Sequence, residues 1–269
     1  MARDLATAAT ALLAATLRFP RDGGVLVQAG LARAVRSVVE SCLELVVTLG
    51  SSRGKTYPQN GHPLLQSFGM VQEKCQGVKG VARSSKEAGL VVLRGELGVL
   101  KDALGELEEA RSQGFMEQLQ EEDGMEEEWR EEDKELINPC VGLIKTAVAL
   151  VKKTTVTVKS EGQDEEEGGG YDLLCKSVAR LSPCVDDLAM SLYPPVDWGE
   201  AKLCAQGLRE GLEGGLALLG GLKFMQGEPQ KAWADFIGKA VVHNFSEIQR
   251  VFVTRGLAEI RVSEEPGES

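Results

Sequence analysis

Residue types that could perform catalysis or hold a metal are sparse in this chain. There are only two histidines, His62 and His243, and neither has a cysteine or a carboxylate at the spacing of a metal-binding motif. No H-E-x-x-H motif is present. The six cysteines contain no C-x-x-C pair, and most of them fall at apolar helical positions: Cys42, Cys75, Cys140, Cys175, Cys184 and Cys204. That pattern is typical of buried free thiols in a reducing compartment, so the sequence predicts no enzyme, no cofactor and no metal site.

A glycine-rich stretch at residues 50–56, GSSRGKT, resembles a phosphate-binding P-loop. The motif needs four residues between its glycines so that successive N–H groups surround the phosphates, and this stretch has three. It also follows a predicted helix instead of a strand, and Pro58 would interrupt the helix that should come next. We therefore keep a nucleotide-hydrolysing enzyme only as a distant alternative.

Residues 182–195, SPCVDDLAMSLYPP, form the most sharply delimited segment. Pro183 favours the first turn of a helix, and the double proline at its end stops that helix. Asp186 and Asp187 then lie in the first turn or just past it, where the helix dipole favours negative charge. Adjacent helical side chains point about 100° apart, so the two carboxylates cannot face one substrate together. They are better explained as first-turn acids of a helix, which can also contact basic residues of a partner.

The net charge of −11 is concentrated in two stretches. Residues 117–135 carry eleven acids and two bases, and residues 161–167 carry five acids and no base. Neither stretch has the alternating ligand pattern of a calcium loop, and both are typical of solvated linkers. The rest of the chain is close to neutral and shows no basic stripe, so we expect no direct binding to nucleic acid.

Apolar residues recur at spacings of three and four along most of the chain, which predicts helices. The cleanest example is a leucine series within residues 85–111: Leu90, Leu93, Leu97, Leu100, Leu104 and Leu107. Such a series is compatible with a leucine zipper, but it spans only about three heptads, so we favour the inward-facing seam of an antiparallel bundle. Trp129 stands alone in the acidic stretch, and we expect it to pack back onto a bundle in preference to serving as a recognition anchor.

The pattern predicts about eight helices and no strand, hence an all-α fold of one or two antiparallel bundles. We expect an N-terminal bundle at 1–112, an acidic linker at 113–135 and a C-terminal bundle at 136–262 with an acidic loop at 160–170. Pro139 is expected in the first turn of a helix that starts at Leu136, and residues 263–269 are expected to be a disordered tail. Packing similar to that of vinculin and α-catenin repeats is a fold-level analogy.

The apolar run near the N-terminus is not expected to be a signal peptide, because Asp4 offsets Arg3 and no small-residue cleavage site follows. No apolar run approaches the ~20 residues of a membrane helix.

Three segments resemble the cyclin-D-binding protein family, also described as GCIP or maternal Id-like proteins. They are residues 182–195 quoted above, residues 129–153 (WREEDKELINPCVGLIKTAVALVKK) and, more weakly, residues 85–110 (SKEAGLVVLRGELGVLKDALGELEEA). This chain differs from the family at the N-terminus. Family members begin with an additional amphipathic segment, whereas this chain begins within a predicted helix.

The resemblance implies a regulatory protein that binds D-type cyclins, restrains kinase-driven phosphorylation of the retinoblastoma protein and lowers cell-cycle transcription. It also implies pairing with helix-loop-helix transcription factors, no membrane contact, and a location in the cytoplasm and nucleus. Candidate interaction residues are Pro183, Asp186, Asp187, Leu188, Tyr193, Leu90, Leu97, Leu104 and Trp129. The alternative from another functional class is a cytoskeletal or adhesion adaptor of the vinculin type, which a pull-down with cyclin or with actin and catenin-type partners would distinguish.

Overall fold

The computed structural model describes residues 2–18, 24–52, 63–117, 129–164 and 169–264. Within these ranges the chain forms α-helices and no strand, which confirms the all-α prediction. The helices are α1 (Ala2–Leu17), α2 (Gly24–Ser51), α3 (Pro63–Lys79), α4 (Ser85–Glu117), α5 (Glu131–Glu161), α6 (Gly170–Val178), α7 (Leu181–Ser191), α8 (Trp198–Gly220) and α9 (Glu228–Glu264), with a 3-10 turn at Lys223–Met225. None of the helices described is long and apolar enough to cross a membrane.

The described ranges hold nine helices where about eight were expected, because α6 and α7 are separate. The break lies at Ala179 and Arg180, two residues before the Ser-Pro pair. Pro183 is the third residue of α7, so it lies in the first turn as predicted, and Asp186 and Asp187 follow just past that turn.

The predicted start of α5 is wrong. The helix begins at Glu131, and Pro139 is its ninth residue instead of a first-turn residue. Proline removes one intrahelical hydrogen bond. The acids of the first turn, which complement the helix dipole, and the complete burial of Leu136 and near-complete burial of Ile137 offset that loss.

Parts of the stretch predicted as an acidic linker are helical, because α4 continues to Glu117 and α5 begins at Glu131. Residues 118–128 lie outside the described residues, as do His62, most of the P-loop-like stretch, residues 165–168 of the acidic loop and residues 265–269 of the tail. The first glycine of the P-loop-like stretch, Gly50, belongs to α2.

The chain divides into two compact units, and the division falls within α4. Unit 1 comprises Met1–Val91 and Asp164–Asp172, and unit 2 comprises Val92–Gln163 and Leu173–Ser269. The domain limits expected from the sequence, and the vinculin-like packing, stay predictions.

In unit 1, α2 and α3 pack antiparallel. The Ser67 hydroxyl donates to Thr48 Oγ1 (3.2 Å) where the two helices are joined, and Val81, just beyond α3, lies beside Gly30 near the other end of α2. The carboxylate of Asp172 accepts the backbone N–H groups of Val25 (2.9 Å) and Leu26 (3.1 Å). These are first-turn donors that α2 cannot satisfy itself, so a residue about 150 positions away caps this helix.

Unit 2 is an antiparallel bundle. Along α8 and α9, Trp198 meets Phe252, Arg209 meets Phe245, and Gly238 lies beside Leu216. α5 is the central helix and is buried along most of its length, with a core formed by Leu136, Ile137, Cys140, Val141, Leu143, Ile144, Ala147, Leu150, Val151 and Val158.

Two glycines of unit 2 have different surroundings, and alanine substitutions at them should have opposite effects. Asn244 of α9 lies against Gly142 of α5, where it donates to Thr146 Oγ1 (3.1 Å) and to the Ala240 carbonyl (2.9 Å). A Cβ at position 142 would displace this amide, so Gly142→Ala should destabilise the protein by about 1–3 kcal/mol. Gly105 has open space around it, and Gly105→Ala should stabilise by about 0.5–1 kcal/mol through helix propensity. Urea unfolding followed by circular dichroism checks both values, and a loss of stability in both variants would contradict this account.

Candidate protein-interaction surface

The exposed face of α7 carries three of the nine candidate interaction residues. Pro183, Asp186 and Asp187 are exposed, and Met190, one helical turn further on, is 70% exposed. Leu188 is fully buried and holds α7 in the core of unit 2, so it is not available to a partner while the helix stays packed. Met190 was not predicted from the sequence, although its spacing of three and four from Asp187 and Asp186 places it on the same helix face.

The first turn of α7 is fixed by a side-chain hydrogen bond. The hydroxyl of Ser182 is buried and donates to the Glu96 carboxylate of α4. Ser182 therefore attaches the first turn of α7 to a neighbouring helix.

The charged groups on the exposed face of α7 are carboxylates. Partial burial and the neighbouring charge of Asp187 raise the pKa of Asp186. In the part of the chain that the structure describes, neither aspartate forms an ion pair. The pair is therefore an uncompensated negative charge on an exposed helix.

Two half-buried thiols lie close to the same charge. Burial and the charge of Asp187 raise the pKa of Cys184. Burial, a hydrogen bond to Glu200 and further negative charges raise the pKa of Cys204 to about 11. Both thiols are protonated at neutral pH, which makes them poor nucleophiles.

The end of α7 is held by Trp129 and by the turn that follows. Trp129 is half-buried, and its indole Nε1 donates to the Leu192 carbonyl (2.6 Å). Trp129 thus packs back onto unit 2, as favoured from the sequence. Tyr193 is half-buried, and burial together with the charge of Glu106 raises its pKa. The peptide bond between the two prolines that follow is cis.

The leucine series of α4 is divided between the core and its edge. Leu93, Leu100 and Leu107, each seven residues apart, are fully buried, and Leu90 is nearly so. Leu97 and Leu104 are half-buried. The series is therefore the seam of a bundle and not a free zipper face, and Leu97 and Leu104 lie at the edge of that seam.

No group of histidine, cysteine, aspartate or glutamate side chains that could hold a metal ion occurs among the described residues. Five of the nine candidate residues lie along α7 or at its end: Pro183, Asp186 and Asp187 on its exposed face, and Tyr193 and Trp129 at its end. The structure does not make Leu90 or Leu188 accessible.

The fold and this surface define an all-helical protein that presents an acidic and apolar helix face. The chain belongs to the family of Grap2 and cyclin-D-interacting proteins, whose N-terminal model matches residues 1–113 and whose C-terminal model matches residues 105–216. The resemblance seen in the sequence is confirmed.

Curated relatives align over most of the chain. Cyclin-D1-binding protein 1 homolog of Xenopus laevis is 30% identical over 252 residues, covering 89% of this chain and 75% of the relative. The homolog from Danio rerio is 30% identical over 246 residues, covering 86% and 69% respectively. Human cyclin-D1-binding protein 1 is 26% identical over 266 residues, covering 90% and 71%.

Proposed function

We propose that this chain is a non-catalytic protein that binds a D-type cyclin. The observation that carries this proposal is the alignment of 89% of the chain, at 30% identity, with a relative named for binding cyclin D1. The sparse chemistry of the described residues is in keeping with a binding role.

The surface that we propose for this contact is the α7 face, defined as Pro183, Asp186, Asp187, Met190 and Tyr193. Its two carboxylates lack cationic partners in the described part of the chain, so basic residues of a partner would gain their full attraction without breaking an existing ion pair. The exposed Met190 side chain adds a flexible apolar contact. Trp129 lies at the end of this face and supports it through Leu192.

The direction of the pKa shift of Asp186 is more typical of a binding residue than of a residue that stabilises the fold. Because the ionised carboxylate is less favourable in the folded chain than in the unfolded chain, folding stability falls as pH rises through the range between the ordinary and the raised pKa. At neutral pH the ionised carboxylate of Asp186 therefore opposes folding. Residues that oppose folding are common at functional surfaces.

As consequences of cyclin binding, we propose that the protein restrains cyclin-dependent phosphorylation and thereby slows cell-cycle progression. Pairing with helix-loop-helix transcription factors, without direct DNA contact, and a location in the cytoplasm and nucleus are further parts of the proposal. They rest on the resemblance to the family.

The test compares two double variants that remove the same charge from unit 2. Asp186→Asn with Asp187→Asn should weaken cyclin D1 binding about tenfold or more in isothermal titration calorimetry, because partner cations lose both carboxylates. Its melting temperature should stay equal or rise, since the repulsion between the two charges is removed. The matched control is Glu132→Gln with Glu135→Gln, two exposed acids on α5.

Absence of cyclin D1 binding by the unaltered chain would overturn the proposed function. Loss of binding in the α5 control, with normal binding by the α7 variant, would keep the function and refute the proposed surface.

A further inference from the structure

A cleft in unit 2 lies between the first turns of α5 and the later part of α9, with Trp198 at its inner end. We call it the α5–α9 cleft and define it by Glu131, Glu132, Glu135, Asn138, Trp198 and Arg255. Its volume is about 440 Å³, within the range of about 300–1,000 Å³ that is usual for ligand pockets. From Glu131 to Asn138 its α5 wall is about 10 Å long at 1.5 Å per residue, which suits one or two side chains and not a whole helix.

The α5 wall of the cleft is negatively charged. Glu131 forms an ion pair with Lys134 (2.6 Å). Glu132 and Glu135 are exposed, and neither forms an ion pair with any residue in the described ranges. Two carboxylates on this wall therefore retain their full capacity to accept hydrogen bonds.

The inner end of the cleft is a fixed aromatic ring. The indole Nε1 of Trp198 donates to Asp133 Oδ1 (2.8 Å), and Asp133 is only 6% exposed. The ring also meets Phe252 edge to face, with centroids 5.5 Å apart. Since both the hydrogen bond and the ring contact come from packed helices, the orientation of Trp198 is set before any partner arrives.

This ring already carries a guanidinium group. The Arg255 guanidinium carbon lies 4.0 Å from the centroid of the Trp198 ring, well within the distance of a cation–π contact. The cleft thus brings together the two features that recognise arginine: an aromatic face for stacking, and carboxylates that can accept its N–H groups.

We propose that the α5–α9 cleft docks a segment of a protein partner through an arginine side chain, which enters between the α5 carboxylates and Trp198. Arg255 is an internal substitute for that side chain and shares the ring with it. Arginine fits better than lysine, because its planar group stacks on the ring while its N–H groups reach a carboxylate. An anionic ligand fits less well, because three glutamates line the cleft against two cations, Lys134 and Arg255, and Lys134 is already paired with Glu131. This proposal goes beyond cyclin binding and rests on the cleft alone.

The probe is a blocked glycine-rich peptide with one arginine, compared with the same peptide carrying citrulline, which keeps the shape and lacks the charge. Nuclear magnetic resonance of the full chain follows the indole N–H signals of its three tryptophans, and the Trp198 signal is assigned with Trp198→Phe. We expect the arginine peptide to shift the Trp198 signal in a saturable way and the citrulline peptide to leave it in place. No saturable shift, or equal shifts with both peptides, would overturn the proposal.

Two variants test the two parts of the cleft. Glu132→Gln with Glu135→Gln should weaken peptide binding about tenfold, whereas Asp186→Asn with Asp187→Asn, which removes the same charge elsewhere in unit 2, should change it less than about twofold. Equal weakening by both pairs would show general charge attraction and refute the site.

Arg255→Ala should tighten peptide binding, because the substitution frees the ring face. Weaker binding by a variant that melts normally would refute the role of Arg255 as a substitute. If Arg255→Ala does not fold, the glutamine pair still decides whether the cleft binds arginine.

Discussion

Leu100→Ala is expected to destabilise the protein by about 2–5 kcal/mol, because it removes a fully buried side chain from the interior of unit 2 and leaves a cavity. The matched control is Leu97→Ala, on the same helix and with the same atoms removed. Leu97 is half-buried, so about 1 kcal/mol is expected for it. Urea unfolding monitored by circular dichroism measures both.

The ratio of the two effects distinguishes the seam of a bundle from an exposed zipper. In a free zipper the two leucines would be equivalent, and alanine at either position would reduce association with a partner and leave the monomer stable. Equal and small losses of stability at Leu97 and Leu100 would therefore contradict the burial seen here. For the same reason a charged residue at Leu97 is a weak test of the core, since a side chain at the edge of the seam can turn toward solvent.

Periodic patterns predicted the fold well. The leucine spacing in α4 and the apolar spacing in α5 identify helices whose seams are buried, because a 3.6-residue repeat turns the same face toward the core throughout. Period alone does not tell which leucines of a seam lie at its centre. That depends on where neighbouring helices cross, and Leu97 and Leu104 lie at the edge of the seam although they continue the same repeat as Leu100.

Helix ends were predicted less well, for a physical reason that Pro139 illustrates. A proline favours the first turn, so the sequence placed the start of α5 at Leu136. The actual start depends on Asp133. Its carboxylate accepts the backbone N–H of Arg130 (3.0 Å), and it also makes a tertiary contact by accepting the indole N–H of Trp198. Local sequence preferences indicate several possible first residues for a helix, and tertiary contacts determine which of them is used.

The candidate site was predicted in part. The sequence located the α7 segment and the two aspartates, because prolines at its ends limit the possible conformations. It could not show that Leu188 faces inward or that Met190 faces outward, since that depends on which side of α7 meets its neighbours. The α5–α9 cleft was missed altogether. It joins residues up to about 120 positions apart, and its three glutamates lie in the stretch that composition assigned to a linker.

Asp133 is the residue for which composition was most misleading, and its substitution should have the second large effect. It lies among eleven acids in residues 117–135, yet it is buried. Its two oxygens accept the Trp198 indole N–H (2.8 Å) and the Arg130 backbone N–H (3.0 Å). Asp133→Ala leaves both donors without this acceptor, and we expect a loss of about 2–4 kcal/mol in the free energy of unfolding. Thermal and urea unfolding measure it.

The neighbouring Glu132 supplies the control for this test. It carries the same charge one residue earlier but is exposed, so Glu132→Ala should change stability by no more than about 0.5 kcal/mol. The loss of stability in Asp133→Asn should lie between those of Asp133→Ala and Glu132→Ala. The amide oxygen of asparagine can accept one of the two hydrogen bonds, but its amide nitrogen faces a donor. If Asp133→Ala were as mild as Glu132→Ala, the first turn of α5 would be held by its charge alone. A large loss accompanied by a shift of the Trp198 indole signal would instead show that one buried carboxylate joins the start of α5 to the start of α8.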